Sequence, residues 1–301
     1  RAPELDTDKP VVTPDGTAST DVDRTDTDEP DAPGRTRREY CYNILVSGLD
    51  DDNGGSDTNI LVRFDVPNKR IDLVSLPRDT LLHNEYRNNK LNFAYAKGGT
   101  ELLMEQIENL LGIPVDFYVT VNLKGFIALV DQIDGVDFDI PINMDYDDPY
   151  QDLHIHFTKG PRHLNGQEAM EVVRFRHNND GTGYGTEDIG RIGTQQAFLK
   201  AVAKQLLQIG NVKNIPALVD IFYTYVKTDL TTGNLVWLGN EALNIGTENI
   251  HFATLPGDGS GYYNKQSVYV LDAQATCDLV NEALNPYNEA LTLEDMDILV
   301  P

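Results

Sequence analysis

The hydrophobic pattern begins at Tyr42. Tyr42–Gly48 is a short apolar run of the kind that forms a buried strand, and it leads into a stretch, Leu49–Ser56, that is a loop by composition. Thr58–Val66 and the alternating run Arg70–Leu76 then flank Pro67–Lys69, which reads as a hairpin. After Lys90–Gly99 the period changes to that of a helix. Leu102, Leu103, Ile107, Leu110 and Leu111 share one face of a helix expected from Thr100, its N-cap, to Leu111, with Gly112 and Pro114 ending it. Strands are expected at Phe117–Val121, Val136–Ile140 and Leu153–Phe157, and helices at Leu123–Gln132, at Asn165–Val173 and from about Asp188 to Ile209. Helices at 214–227, 231–245 and 272–284, with strands at Asn249–Leu255 and Ser267–Leu271, complete the reading. Strands and helices that alternate without a second composition shift or an internal repeat predict one α/β domain over 40–301.

Composition changes the picture at the N-terminus. Residues 1–39 are rich in Asp, Thr and Pro, and they cannot bury enough surface to offset the entropy of ordering. They are expected to be a disordered acidic linker, either a tether that holds the domain away from a membrane or a plain tail. No run approaches 18 consecutive apolar residues, so neither a transmembrane helix nor a signal peptide is expected within these 301 residues. The chain starts at Arg1 rather than Met, and an upstream segment is expected to have been removed. The net charge of −24, from 24 Lys+Arg against 48 Asp+Glu, argues against nucleic acid as a general partner. A phosphorylated ligand would need the scarce basic residues gathered in one place. Cys41 and Cys277 are either two buried thiols or a disulfide joining the last helix to the first strand. In an exported protein the disulfide is the stronger expectation.

The candidate chemistry centres on Ser75–Thr80. Pro77 breaks the preceding strand and presents Arg78 and Asp79 side by side at its C-terminal edge. An arginine can grip a phosphate bidentately, and a neighbouring carboxylate can hold a Mg²⁺ bridging that phosphate. The same hairpin carries Asp57 at the start of one strand, so the two carboxylates share one sheet edge and repel unless a cation sits between them. The helix at Asn165–Val173 delivers Arg174 and Arg176, and the long helix carries Arg191 and Gln195 on one face near its N-terminus, where an anion is favoured. Lys90 joins the set. All eight lie at strand ends, helix starts or adjoining loops, where ligands of α/β folds collect. Each arginine alone reads equally as a surface ion pair worth under about 1 kcal/mol; the set together suits a pyrophosphate. His154 and His156 sit two apart on one strand face. With no Cys or third His nearby they read as a solvated face, with metal ligation the alternative.

A series of stretches occurs in one order over roughly residues 42–205: Asn43–Asp50, Ser56–Thr58, Leu73–Thr80, Lys90–Gly99, Leu111–Val119, Asn122–Phe126, Val130–Val136, His163–Ala169, Val173–Arg176 and Asp188–Gln196. In this the sequence resembles the LytR-CpsA-Psr (LCP) family. The resemblance implies a central mixed β-sheet flanked by helices, an α-β-α sandwich. It also implies an extracytoplasmic domain facing the cell wall, held at the cell membrane by an N-terminal helix. Family members transfer a glycopolymer with one phosphate from a polyprenyl-pyrophosphate carrier to a peptidoglycan muramic acid hydroxyl, or to a surface protein. Carried over by position, Asp57 and Asp79 would hold Mg²⁺, and Arg78, Arg174, Arg176, Arg191 and Gln195 would bind the pyrophosphate, supported by Lys90. Asp57, Asp79, Arg78 and Arg191 would then be the catalytic group.

Two positions depart from the family pattern: Gly55 stands where a basic residue is usual, and Thr194 where an arginine often precedes the glutamine pair. Asp57, Asp79 and Asp188 are candidate general bases, Asp188 equally a helix N-cap. Leu102, Leu103, Phe126, Val130, Phe198 and Val202 would line a lipid tunnel or simply pack in the core. A pyrophosphate hydrolase and a non-catalytic carrier-binding regulator remain as alternative functions.

Overall fold

A computed structural model of the chain describes residues 1–5, 34–49, 55–150, 152–185, 187–208 and 222–301. The predicted hairpin is the centre of the fold. β1 (Cys41–Leu49), β2 (Ser56–Asp65) and β3 (Arg70–Leu76) form an antiparallel meander, with Asn59 opposite Leu76 and Asp65 opposite Arg70. β4 (Phe117–Val121) adds in parallel to β1, and β10 (Ile250–Thr254) in parallel to β3. β9 (Val226–Thr228) closes the far edge, giving the order β10-β3-β2-β1-β4-β9. This is a mixed sheet between helices, as the resemblance implied.

Side chains alternate across the sheet, and each face has its own core. Leu45, Leu61, Val74 and Leu76 pack against α1 (Leu91–Leu111) and α6 (Ala273–Ala283), while Tyr42, Ile44, Phe64 and Ile71 pack against α5 (Thr232–Ile245). A second lobe gathers α2 (Leu123–Gln132), α3 (Gly166–Arg174) and α4 (Glu187–Gln208) on two ribbons. These pair β5 (Val136–Ile140) with β8 (Gly160–Leu164), and β6 (Met144–Asp148) with β7 (Leu153–Phe157). A third ribbon pairs β11 (Gly257–Tyr263) with β12 (Gln266–Leu271).

Several expectations change. The helix expected over Thr100–Leu111 is present, and an unexpected helical segment from Leu91 precedes it; the two meet at Gly98 and Gly99, where Gly99 takes a left-handed φ of 69° that breaks the helical ladder. Val226 and Lys227, expected to end the helix at 214–227, lie with Thr228 in a strand, because β4 offers it an open edge; the start of that helix lies outside the described residues. β6, β8 and β11 were not expected at all. Both cysteines are free and buried. The expected disulfide is absent: the Cys277 thiol lies 3.6 Å from the Leu291 carbonyl, and burial pushes the Cys41 thiol up to about 11.

Residues at either end of the acidic stretch touch the domain. Arg35 pairs with Asp295, Arg38 with Asp65 and Arg37 with Asp116, and Pro3 accepts a hydrogen bond from the buried Tyr42 hydroxyl. Residues 6–33 lie outside the described residues. Among the described residues no helix is long and apolar enough to cross a membrane.

Candidate active site

The C-terminal edge of β3 and the start of β2 meet the first turns of α4. Asp57, Thr58, Asn59, Ser75, Leu76, Pro77, Arg78, Arg191, Ile192 and Gln195 line one cleft there. Four of the expected residues, Asp57, Arg78, Arg191 and Gln195, therefore converge although they come from β2, the β3 exit and α4. Pro77 ends the strand as expected. Thr80 then folds the exit into a turn, its hydroxyl donating to the Pro77 carbonyl at 2.6 Å.

The remaining candidates surround this cleft. Arg78 Nε lies 2.8 Å from Asp57 Oδ1; no aligned hydrogen bond joins them, so the contact is an ion pair. Lys90 Nζ lies 3.2 Å from Asp79 Oδ2, and Arg176 reaches within 4.0 Å of Asp57. Lys90 is held close because the first turn of α1 is stitched to the loop. Asn92 donates to the Arg78 carbonyl and Leu91 to the Thr80 carbonyl. Arg174 is placed differently: it ends α3 with its guanidinium 4.0 Å from Met170 Sδ. Arg191 is buried at 6% exposure, whereas the Asp57 and Asp79 side chains are 25% and 29% exposed. Two half-open carboxylates at one edge offer hard oxygen donors of the type Mg²⁺ takes, so these residues fit that ion.

Several residues that build the site were not singled out from the sequence. Gln196 pins α4 to the sheet, its Nε2 within 2.8–3.2 Å of Ala253 O, Thr254 Oγ1 and Ser75 Oγ. Gln195, itself one of the expected residues, donates to the Val173 carbonyl at 3.2 Å, tying α4 to the end of α3 just before Arg174. Beneath the cleft, Asn59 bonds both Ser47 and Ser56 at 3.1 Å. Their polarity, set against apolar strand neighbours, was the available signal, but apart from Ser56, three residues from Asn59, their partners are distant in sequence.

The two departures have distinct physical settings. Thr194 is buried and donates to the Tyr184 hydroxyl at 2.8 Å; Tyr184 in turn stacks edge-on against Phe175. A Cβ at Gly190 would fall 2.1 Å from the Tyr184 Cβ, so glycine is needed there for the tyrosine to lie on α4. Tyr184 thus braces the segment carrying Arg176, and an arginine at 194 would displace that brace. Gly55 is different: a Cβ there would meet Asn92 O at an ordinary 3.6 Å.

Other candidates are resolved by place. α4 begins at Glu187, one residue ahead of Asp188, whose side chain lies outside the described residues. The six tunnel candidates divide between two cores, Leu102 and Leu103 beside the sheet and Phe126, Val130, Phe198 and Val202 in the second lobe. His154 and His156 are exposed, and the β6–β7 pairing sets Asp145 and Asp147 opposite them.

The LytR_cpsA_psr family profile matches residues 13–285. TagV of Bacillus subtilis (strain 168), named a polyisoprenyl-teichoic acid–peptidoglycan teichoic acid transferase, is 32% identical over 248 residues, which are 78% of this chain and 61% of TagV. TagU of Bacillus cereus, with the same description, is 32% identical over 244 residues, 79% of this chain and 76% of TagU. The regulatory protein MsrR of Staphylococcus aureus (strain COL) is 30% identical over 229 residues, 74% of this chain and 67% of MsrR. Among solved structures, B. subtilis TagV shares the fold with a TM-score of 0.68 at 29% identity, covering 79% of this chain and 94% of that one.

Proposed function

The chain belongs to the LytR_cpsA_psr family, and from that premise we propose that it is a phosphotransferase moving a glycopolymer, with one phosphate, from a polyprenyl-pyrophosphate carrier to a cell-wall acceptor. The acceptor is a peptidoglycan hydroxyl, in keeping with the names of TagV and TagU. The observation that carries this reading is the gathering of Asp57, Arg78, Arg191 and Gln195 around one cleft, in a chain whose net charge is −24. Lys90 and Arg176 stand at its margin.

In this reading Arg78 and Arg191 grip the pyrophosphate, and Gln195 orients α4 against it. Arg78 exchanges its Asp57 partner for a phosphate oxygen. Asp57 and Asp79 would hold Mg²⁺, which when bound would neutralise charge on the pyrophosphate. The acceptor oxygen attacks the glycan-proximal phosphorus, and the bond from that phosphorus to the bridging oxygen breaks. Polyprenyl phosphate leaves, and the hydroxyl proton passes to a carboxylate at the same edge. Positioning and charge neutralisation supply most of the rate, so the protein needs no covalent intermediate.

³¹P NMR of a short-chain prenyl-pyrophosphate sugar with peptidoglycan fragments tests this. The expected result is conversion of the pyrophosphate signal to a phosphodiester and a phosphomonoester, with Mg²⁺ and not with EDTA or in Asp79→Ala. Free glycan phosphate in place of the diester would establish a hydrolase. Binding without any conversion would establish a carrier-binding regulator.

A further inference from the structure

The outer face of the β6–β7 ribbon carries a second cluster of metal-ligating side chains. The register places Asp145 opposite His156 and Asp147 opposite His154. Their strand neighbours Met144, Leu153, Ile155 and Phe157 are buried in the second core, so the period-two alternation fixes these four side chains outward.

Asp147 is the hub. Its Oδ1 lies 2.5 Å from His154 Nδ1 and 3.3 Å from His156 Nε2. Ligand atoms of Asp147, His154 and His156 all fall within 4.8 Å of one another. Zinc–ligand distances of about 2.0–2.1 Å in a tetrahedron set neighbouring ligand atoms roughly 3.3 Å apart. The His156 contact already has that spacing, and His154 needs to draw back by less than about 1 Å.

The other ring nitrogens also face carboxylates. His156 Nδ1 lies 2.8 Å from Asp145 Oδ1, and His154 Nε2 lies 3.6 Å from Asp152 Oδ1. A carboxylate on the far nitrogen orients a metal-bound imidazole and raises its basicity. The backbone beneath is held too: Asp145 N donates to Asn178 Oδ1 at 2.7 Å, and Asp147 N to Asn179 Oδ1 at 2.6 Å. Residues 141–158 contain Asp145, Asp147, Asp148 and Asp152 and no Lys or Arg, so the local field attracts a cation.

We infer that Asp147, His154 and His156 form a surface site for a divalent transition metal of the Zn²⁺ type. Two imidazoles and one carboxylate suit Zn²⁺ better than Mg²⁺, which takes oxygen ligands, and three protein ligands leave a fourth position open to water. The site is separate from Asp57 and Asp79.

Isothermal titration of ZnCl₂ into the chelator-treated full chain tests the inference. One equivalent should bind to the wild type, and to Asp57→Asn/Asp79→Asn. Affinity should fall at least tenfold in His154→Gln/His156→Gln and in Asp147→Asn, with thermal unfolding showing each variant folded. His163→Gln, which removes the exposed His163–Asp137 pair on the neighbouring ribbon, should leave binding unchanged. Co²⁺ in place of Zn²⁺ should give tetrahedral visible absorption in the wild type, in Asp57→Asn/Asp79→Asn and in His163→Gln, and not in His154→Gln/His156→Gln or Asp147→Asn. Equal Zn²⁺ binding by the wild type and the double histidine variant, or loss only in Asp57→Asn/Asp79→Asn, would overturn it, as would no binding by the wild type.

Discussion

The two ends of the β2–β3 hairpin use the same residue types for opposite purposes. At the turn end, Arg63 meets Asp72 at 2.7 Å with side chains 5% and 2% exposed, Arg70 shares Asp72, and Arg38 holds the buried Asp65. At the cleft end, Asp57, Arg78, Asp79 and Lys90 form pairs of similar length, but each side chain is 19–29% exposed. Burial decides the difference. At the turn end the carboxylates Asp65 and Asp72 and the Arg63 guanidinium are dry, although Arg38 and Arg70 keep 22% and 31% exposure. A dry charge stripped of its partner has nowhere to turn, so the turn-end network is locked. A half-hydrated pair exchanges partners at little cost, and that is what a phosphate-binding arginine requires.

The largest expected effect tests the locked end. Asp72→Asn leaves Arg63 and Arg70 without their shared counter-charge and should cost about 3–5 kcal/mol in urea unfolding. The folded fraction should still bind a prenyl pyrophosphate normally. A loss below about 1 kcal/mol would erase the contrast between the two ends. Arg78→Ala probes the other end. Its stability should change by under about 1 kcal/mol, while transfer falls roughly 10²–10³-fold, the scale for removing one donor to developing charge. Unchanged transfer would make Arg78 a surface ion pair and nothing more. Gly55→Arg should have the smallest effect and sharpen the comparison. The site has room for a Cβ, so stability should move by no more than about 0.5 kcal/mol. Calorimetric affinity for a prenyl pyrophosphate should improve severalfold, by about 1 kcal/mol, and more so at low salt.

The legible part of the molecule was the part governed by local rules. β1 to β4, α2 and α3 follow from apolar period and, for α3, from its cap Asn165, which bonds its N3 backbone amide. Asp57 and Asp79 could be placed at one edge because hairpin register is a local property. The illegible part was set by distant partners. Met144–Asp148, Gly160–Leu164 and Gly257–Tyr263 are rich in Asp, Gly or Pro and become strands because a better strand lies beside each. Which carboxylate each basic residue would choose, and that the two thiols stay apart, likewise depend on the assembled fold. No strand was expected around Asp147, for the same reason, which left His154 and His156 without a visible third ligand.

The Gln196 clamp also has a consequence for the order of assembly. Its partners are Ser75 on β3 and Ala253 and Thr254 on β10, and β10 joins the sheet only beside β3. All eight candidate ligands precede Gln196 in the chain, yet of the three partners of the clamp only Ser75 is already present when Gln196 is made; Ala253 and Thr254 follow later. Domains acquire such long-range pairings late in folding, because the intervening chain must first be closed into a loop. The bracing of the cleft between β3 and α4 is therefore complete only once residues 250–254 are in place, and a chain that ends before them carries the basic residues without the finished clamp.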